Sequence, residues 1–325
     1  MRLNDKTKPQ YRQQLTLCLA ALLIFGLTAS SHAEEWDRER AHDRSTELEA
    51  FVKPARLYWR PYDLPGVRLA EYKLLSFDEV TGARTMLVRL PPGWKQAPGY
   101  HSADLEMFVV EGGVTMGDEA VGRYAYAYYP AGTSHSLSTE FGATVLQMWS
   151  AKPDYVAGAE SRPGASTDEM IEGWRYGDAP TIGPSEFPEY REERFREDSP
   201  LRLKLIRNNQ QTGEKTWIAI IPGGTPAMYG EGHLPRWASS ESWEEGYMIA
   251  GDMTMAECLP QGEVAGRYTE GGYFFRPAGI RYGGPSLYSD SVAIWLYRSG
   301  PGHRVTYHDR CDEPQTVSNL KRAVR

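Results

Sequence analysis

Val109-Val110-Glu111-Gly112-Gly113-Val114-Thr115-Met116 returns later in the chain as Met248-Ile249-Ala250-Gly251-Asp252-Met253-Thr254-Met255. Tyr128-Tyr129-Pro130-Ala131-Gly132 likewise returns as Phe275-Arg276-Pro277-Ala278-Gly279, and each copy is followed by a further apolar strand. Two blocks repeated in the same order indicate a duplicated unit. Around them lie short runs of β-branched and aromatic residues, among them 85–90, 144–149, 217–221 and 292–297. Turn residues separate these runs, and the chain holds 32 Gly and 22 Pro. This pattern predicts an all-β protein of barrels or sandwiches. Amphipathic helical patterns are scarce, with short helices expected only around residues 47–52 and 167–174.

The approach to the first block narrows the reading. Gly93 is followed by five residues, then Gly99-Tyr100-His101, four more residues and Glu106, and six more residues lead to Gly113. Pro130-Ala131-Gly132-Thr133-Ser134-His135 follows. This resembles the cupin superfamily. Its first motif is Gly, five residues, His-x-His, three or four residues, Glu, six residues, Gly; its second is Pro-x-Gly-x-x-His. The resemblance is nearest to bacterial two-cupin proteins (bicupins) related to the cupin part of zinc-binding anti-sigma regulators. It covers about residues 70–150 and 205–300, and Leu87–Trp94 and Tyr273–Ile280 carry much of it. It implies two tandem jelly-roll barrels (double-stranded β-helices) with a metal inside. The expected division is a leader at 1–33, a first cupin domain at 34–152, a linker or surface excursion at 153–204 and a degenerate second cupin domain at 205–325.

Gly99 stands where the family has its first histidine, so the implied ligand set shrinks to His101, Glu106 and His135. Two imidazoles and a carboxylate hold one divalent metal and leave open positions for water, dioxygen or substrate. Fe(II) is the ion such a set favours, with Zn(II) or Mn(II) as alternatives. Strand alternation, anchored on Glu106 as an inward ligand, turns Phe108 inward as well, and Trp149 lies on a following strand. These two are the candidate pocket residues. Arg89 and Gln147 are further candidates, and Tyr100 and Tyr128 are candidate acids or bases. In the second repeat, Glu244 is seven residues before Gly251, as Glu106 is before Gly113. That count places Trp237 at the Gly99 position and Ser239 at the His101 position, while Tyr282 replaces the histidine of the second motif. His233 falls six residues short of a ligand position. The expected activity is that of a metal-dependent, dioxygenase-like enzyme acting on a small oxygen-rich substrate. The alternatives are a non-catalytic binder and a Zn or Mn isomerase, lyase or hydrolase.

Composition sets the cellular frame. Arg2, Lys6, Lys8 and Arg12 precede an apolar run at residues 15–29, which ends in Ser31-His32-Ala33. Such a run is short for a membrane span and suits a signal peptide, so a secreted or periplasmic chain beginning near Glu34 is expected. Without residues 1–33 the chain keeps 32 basic and 42 acidic residues, a net charge of −10. That excludes nucleic acid and anionic membranes as natural partners. A small-molecule ligand and a monomer or homodimer are expected. Cys258 and Cys311 remain after the leader, and an oxidising compartment leaves a disulfide between them open.

Overall fold

The computed structural model describes residues 48–62, 69–158, 160–183, 186–187, 199–224, 237–259 and 261–311. The leader at 1–33 and His233 lie outside them. Strands run through the whole described chain. They are β1 (Glu49–Val52), β2 (Arg60–Pro61), β3 (Glu71–Phe77), β4 (Arg84–Leu90), β5 (Lys95–His101), β6 (Leu105–Gly112), β7 (Val114–Met116) and β8 (Glu119–Val121). There follow β9 (Tyr126–Tyr129), β10 (His135–Ser138), β11 (Ala143–Trp149), β12 (Tyr155–Ala157) and β13 (Ile171–Trp174). The second half contains β14 (Arg202–Asn208), β15 (Lys215–Ile221), β16 (Trp237–Ser240), β17 (Glu244–Ala250) and β18 (Asp252–Leu259). It closes with β19 (Gly262–Thr269), β20 (Tyr273–Arg276), β21 (Arg281–Tyr288), β22 (Ala293–Ser299) and β23 (Val305–His308). A 3-10 turn, Pro54–Arg56, lies between β1 and β2.

Two jelly-roll barrels result, each made of two facing antiparallel sheets. The first pairs the sheet β13-β9-β6-β11-β4-β3-β2 with the sheet β12-β5-β10-β7-β8. The second pairs β1-β20-β17-β22-β15-β14 with β19-β18-β21-β16-β23. Each barrel has its own apolar interior. Leu105, Met107, Val109, Val145 and Trp149 fill the first, and Trp217, Met248, Phe274 and Trp295 fill the second. A third cluster joins Leu87, Phe108, Tyr126, Tyr128 and Met148 of the first barrel to Ile218, Trp243, Tyr247, Phe275 and Leu296 of the second. The two larger sheets are therefore buried on both faces, one against a barrel interior and one against the other barrel.

Several local expectations change. Residues 49–52 form β1 and residues 171–174 form β13, where short helices were expected. Neither segment is long enough for helix propagation to outweigh nucleation, and each lies beside an open sheet edge. β1 pairs with β20 and so belongs to the second barrel, although it precedes the whole of the first. It is held by buried Leu48 and Ala50 against Ile280, and by Phe51, whose ring covers Gly266. A Cβ at Gly266 would lie 2.4 Å from that ring. The described parts of the segment 153–204 are likewise built into the barrels. β12 extends the sheet of β5, β13 extends that of β9, and Phe187 is buried in the second core. Cys258 and Cys311 form a disulfide that ties β18 to the chain after β23.

Candidate functional site

His101 ends β5 and His135 begins β10, neighbouring strands that pair in antiparallel register. Both side chains are buried, and their rings lie 5.3 Å apart. Trp149 sets its edge against His101 at 4.6 Å, and Tyr129 stacks on His135 at 4.0 Å. His135 Nδ1 lies 3.1 Å from the Thr133 carbonyl, which can only accept. The proton therefore sits on Nδ1, and Nε2 keeps its lone pair, buried and without a hydrogen-bond partner. The Gln96 amide nitrogen lies 3.1 Å from His101 Nε2 and donates to it. Burial lowers His101 to about 3, helped by His135 and opposed by the Asp154 carbonyl. Burial also lowers His135 to about 4. Both rings are thus neutral Lewis bases at physiological pH.

The position of the missing first histidine has its own explanation. Gly99 pairs with His135 and shares the face of His101. A Cβ there would meet the Tyr155 ring at 2.5 Å. Tyr155 comes from β12, lies 5.2 Å from His101 ring to ring, and donates its hydroxyl to the Ala97 carbonyl at 2.6 Å. A partly exposed phenol ring therefore fills the space an imidazole would need.

Glu106 is not part of this site. It is fully buried on the opposite face of β6, in the contact between the barrels. Its carboxylate accepts from Tyr126 at 2.6 Å, from Arg298 Nε at 2.6 Å, from Arg207 at 3.4 Å and from the Thr216 hydroxyl. The residue that turns towards the histidine-bearing interior is Leu105, which packs in the first core. Both residues satisfy the family's three-or-four-residue spacing after His101, and the structure selects the shorter one. Because the sheet is buried on both faces, apolar alternation carried no sign of direction.

The same reversal of strand faces moves other expected residues. Phe108 lies between the barrels and stacks on Tyr124 at 6.0 Å, so it lines no pocket beside the histidines. Tyr128 lies on that interface beneath the Arg207 guanidinium at 3.9 Å, and burial holds its hydroxyl protonated. Tyr100 alternates with the inward Gly99 and His101 and faces away from them. Gln147 is buried and accepts from the Tyr62 hydroxyl at 3.2 Å. Arg89 is half exposed, pairs with Glu71 and lines an open cleft of about 540 Å³ with Pro91, Pro92 and Phe141. Of the two pocket candidates, Trp149 alone stands at the histidine pair.

Glu106 has a counterpart. Glu245 of the second barrel accepts from Tyr273 at 2.6 Å, from Thr85 of the first barrel at 2.6 Å and from Arg298 at 3.0 Å. Each glutamate thus takes a tyrosine from its own barrel and a threonine from the other, and Arg298 bridges the two. Glu245 is therefore the equivalent of Glu106, and Glu244 is the equivalent of Leu105. Pairing agrees: Glu244 opposes Arg276 and Ser299 as Leu105 opposes Tyr129 and Trp149. The equivalence of Glu244 with Glu106 slips by one residue, and Ala238 and Ser240 replace Trp237 and Ser239 at the Gly99 and His101 positions. The left-handed glycines after the strands are Gly112 (φ 77°) and Gly251 (φ 83°), whereas counting from Gly113 gave the slip.

A cupin metal centre needs three or four protein donors. Here the inward-facing set comes to two imidazoles, and among the described residues no three His, Cys, Asp or Glu side chains are grouped to hold an ion. The ligand set His101, Glu106 and His135 is not assembled, and the residues present fall short of a divalent metal centre.

The family model described as the ChrR cupin-like domain matches residues 47–153. A candidate dioxygenase from Nostoc punctiforme PCC 73102 shares the fold with a TM-score of 0.63, at 19% identity over 85% of this chain and 95% of that one. An oxalate decarboxylase from Lactobacillus farciminis aligns with a TM-score of 0.50, at 10% identity over 79% of this chain and 88% of its own. YlbA from E. coli also gives 0.50, at 14% identity over 78% and 91%. At such identities the likeness concerns the fold alone. No curated protein sequence matches the chain. Residues 47–153 thus carry a cupin-like domain, and the duplicated motifs with two jelly-roll barrels give the chain the fold of a bicupin.

Proposed function

We propose that the protein is an exported binding bicupin that takes a flat, hydroxyl-bearing organic ligand, of the phenol or catechol class, into its first barrel. The observation that carries this reading is His135 Nε2, a buried acceptor without a hydrogen-bond partner, beside the stacked Tyr129 ring. A ligand hydroxyl donates to that nitrogen. Trp149, Tyr129 and Tyr155 supply faces and edges for a ring, and Gln96 supplies a second polar contact. Neutral histidines in an apolar wall favour an uncharged ligand, because an ion would lose its hydration without compensation.

The second reading keeps a metal. It rests on the two neutral imidazoles alone, with water or ligand filling the positions the chain does not supply. The two readings separate in one experiment on the mature, untagged protein. Metal content, oxygen uptake and quenching of tryptophan fluorescence by catechol are measured together, in the wild type and in His101→Ala and His135→Ala. The binding reading expects saturable quenching that is lost in His135→Ala, metal far below one per chain and no oxygen uptake. Near one metal per chain, lost in both variants and accompanied by oxygen uptake, overturns it in favour of the enzyme. Absence of any saturable quenching overturns it outright.

A further inference from the structure

The second barrel lacks both ligand histidines, yet its interior is more polar than the first at the corresponding place. Three neighbouring strands, β20, β17 and β22, set Arg276, Glu244 and Ser299 side by side in register. The first barrel has Tyr129, Leu105 and Trp149 in that row. All three side chains of the second barrel are buried, and each leaves one polar atom without a hydrogen-bond partner: Arg276 Nη1, Glu244 Oε2 and Ser299 Oγ. Buried polar groups are ordinarily satisfied, so three adjacent exceptions point to an absent occupant.

The remaining contacts fix the row. Glu257 takes Arg276 Nε at 3.0 Å and Nη2 at 2.7 Å, and the Met255 sulfur lies 2.9 Å from Nη2. The guanidinium is held between the Phe274 ring at 3.5 Å and the Tyr282 ring at 4.0 Å. Its free edge, Nη1, lies 3.9 Å from Glu244 Oε2. That is too far for a hydrogen bond and suits one hydroxyl oxygen placed about 2.8 Å from each. Arg276 Nη1 needs an acceptor, Glu244 Oε2 accepts when ionised and can donate when protonated, and Ser299 can serve as either. A hydroxyl group offers both functions at once. Glu257 already pairs with the guanidinium, so its charge offers little attraction to an anionic ligand.

We infer that the second barrel is a binding site of its own, which takes a small neutral polyhydroxylated compound across Arg276, Glu244 and Ser299. This site is separate from the first barrel and does not depend on the reading proposed for it. The test is isothermal titration of the full-length mature protein with glycerol, erythritol and glucose. At least one of the three binds saturably. Glu244→Gln and Ser299→Ala each weaken that binding by about tenfold, the loss of one hydrogen bond to a charged or buried partner. His101→Ala leaves it unchanged, and Ser299→Ala, a small change in a buried strand, keeps the fold intact by circular dichroism. No saturable binding of any of the three overturns the inference and leaves the row to ordered water alone. Binding that Ser299→Ala and Glu244→Gln spare, or that His101→Ala abolishes, also overturns it, because the compound then sits elsewhere.

Discussion

At the scale of single residues, Gly99 and Tyr155 act as one unit. The glycine exists because a phenol ring lies where its Cβ would project. Tyr155 is partly exposed, so an added methyl group displaces the ring outward instead of unfolding the strand. Gly99→Ala is expected to cost about 1–2 kcal/mol, the range for overpacking a site that can give. The same change in a Tyr155→Ala background should cost almost nothing. A double-mutant cycle in urea measures this coupling, and additive costs would mean the two residues do not meet. The sequence showed that a histidine was missing at position 99 but not what replaced it. Tyr155 lies 56 residues away in a segment rich in Pro, Gly and charge, and nothing local marks it as part of the barrel. His101 and His135 were legible because motif spacing ties them to fixed strands, and Trp149 because it lies on the apolar strand that follows.

At the scale of elements, the clasp around Glu106 joins β6 of the first barrel to β14, β15 and β22 of the second. A buried carboxylate with this set of donors is costly to remove, since the arginines and hydroxyls it serves remain. Glu106→Ala is expected to destabilise the protein by about 3–5 kcal/mol, as when one partner of a buried ion pair is removed. Thr216→Val should cost only about 1 kcal/mol. Neither change should alter what the first barrel binds. Chemical denaturation with fluorescence of both barrels measures the first claim and catechol titration the second. A Glu106→Ala protein of wild-type stability would show that the clasp is incidental. The repeat made the pairing of barrels readable, but not the facing of the strands. Glutamate, phenylalanine and tyrosine on β6 and β9 read equally well as pocket or interface, and adjacent glycines at 112 and 113 hid a one-residue register choice.

At the scale of the whole molecule, buried titratable groups set a window of stability. Burial raises Glu244 from 4.5 to about 7, with Arg276 and Tyr282 opposing the rise and Glu257 adding to it. The folded state then holds this proton more tightly than the unfolded chain, so its contribution is complete below the ordinary carboxylate value and drains away as pH climbs to neutrality. His303, buried beside Trp217 and bonded to Ser240, is lowered from 6.5 to about 3 by burial and by Lys215. Its contribution is present above 6.5 and is lost as pH falls. His101 and His135, lowered in the same way, add to the loss on the acid side, so three histidines outweigh the one carboxyl between 4.5 and 6.5 and resistance to urea should peak at about pH 6.5. Glu244→Gln should flatten the alkaline side of that curve and leave the acid side alone. An alkaline slope that survives the substitution would place its origin in another group.

β1 gives the molecule a timetable. Glu49 finds its partner, Phe275, 226 residues later in the chain. At roughly 5–20 residues per second, a growing chain therefore spends about 11–45 s with this strand made and its partner strand not yet in existence. The first barrel can close during that interval, but the second keeps a bare edge until the oldest strand returns to it. Completion of the second barrel is thus reserved for a finished molecule, and a chain that stops early cannot bury β1 where it belongs.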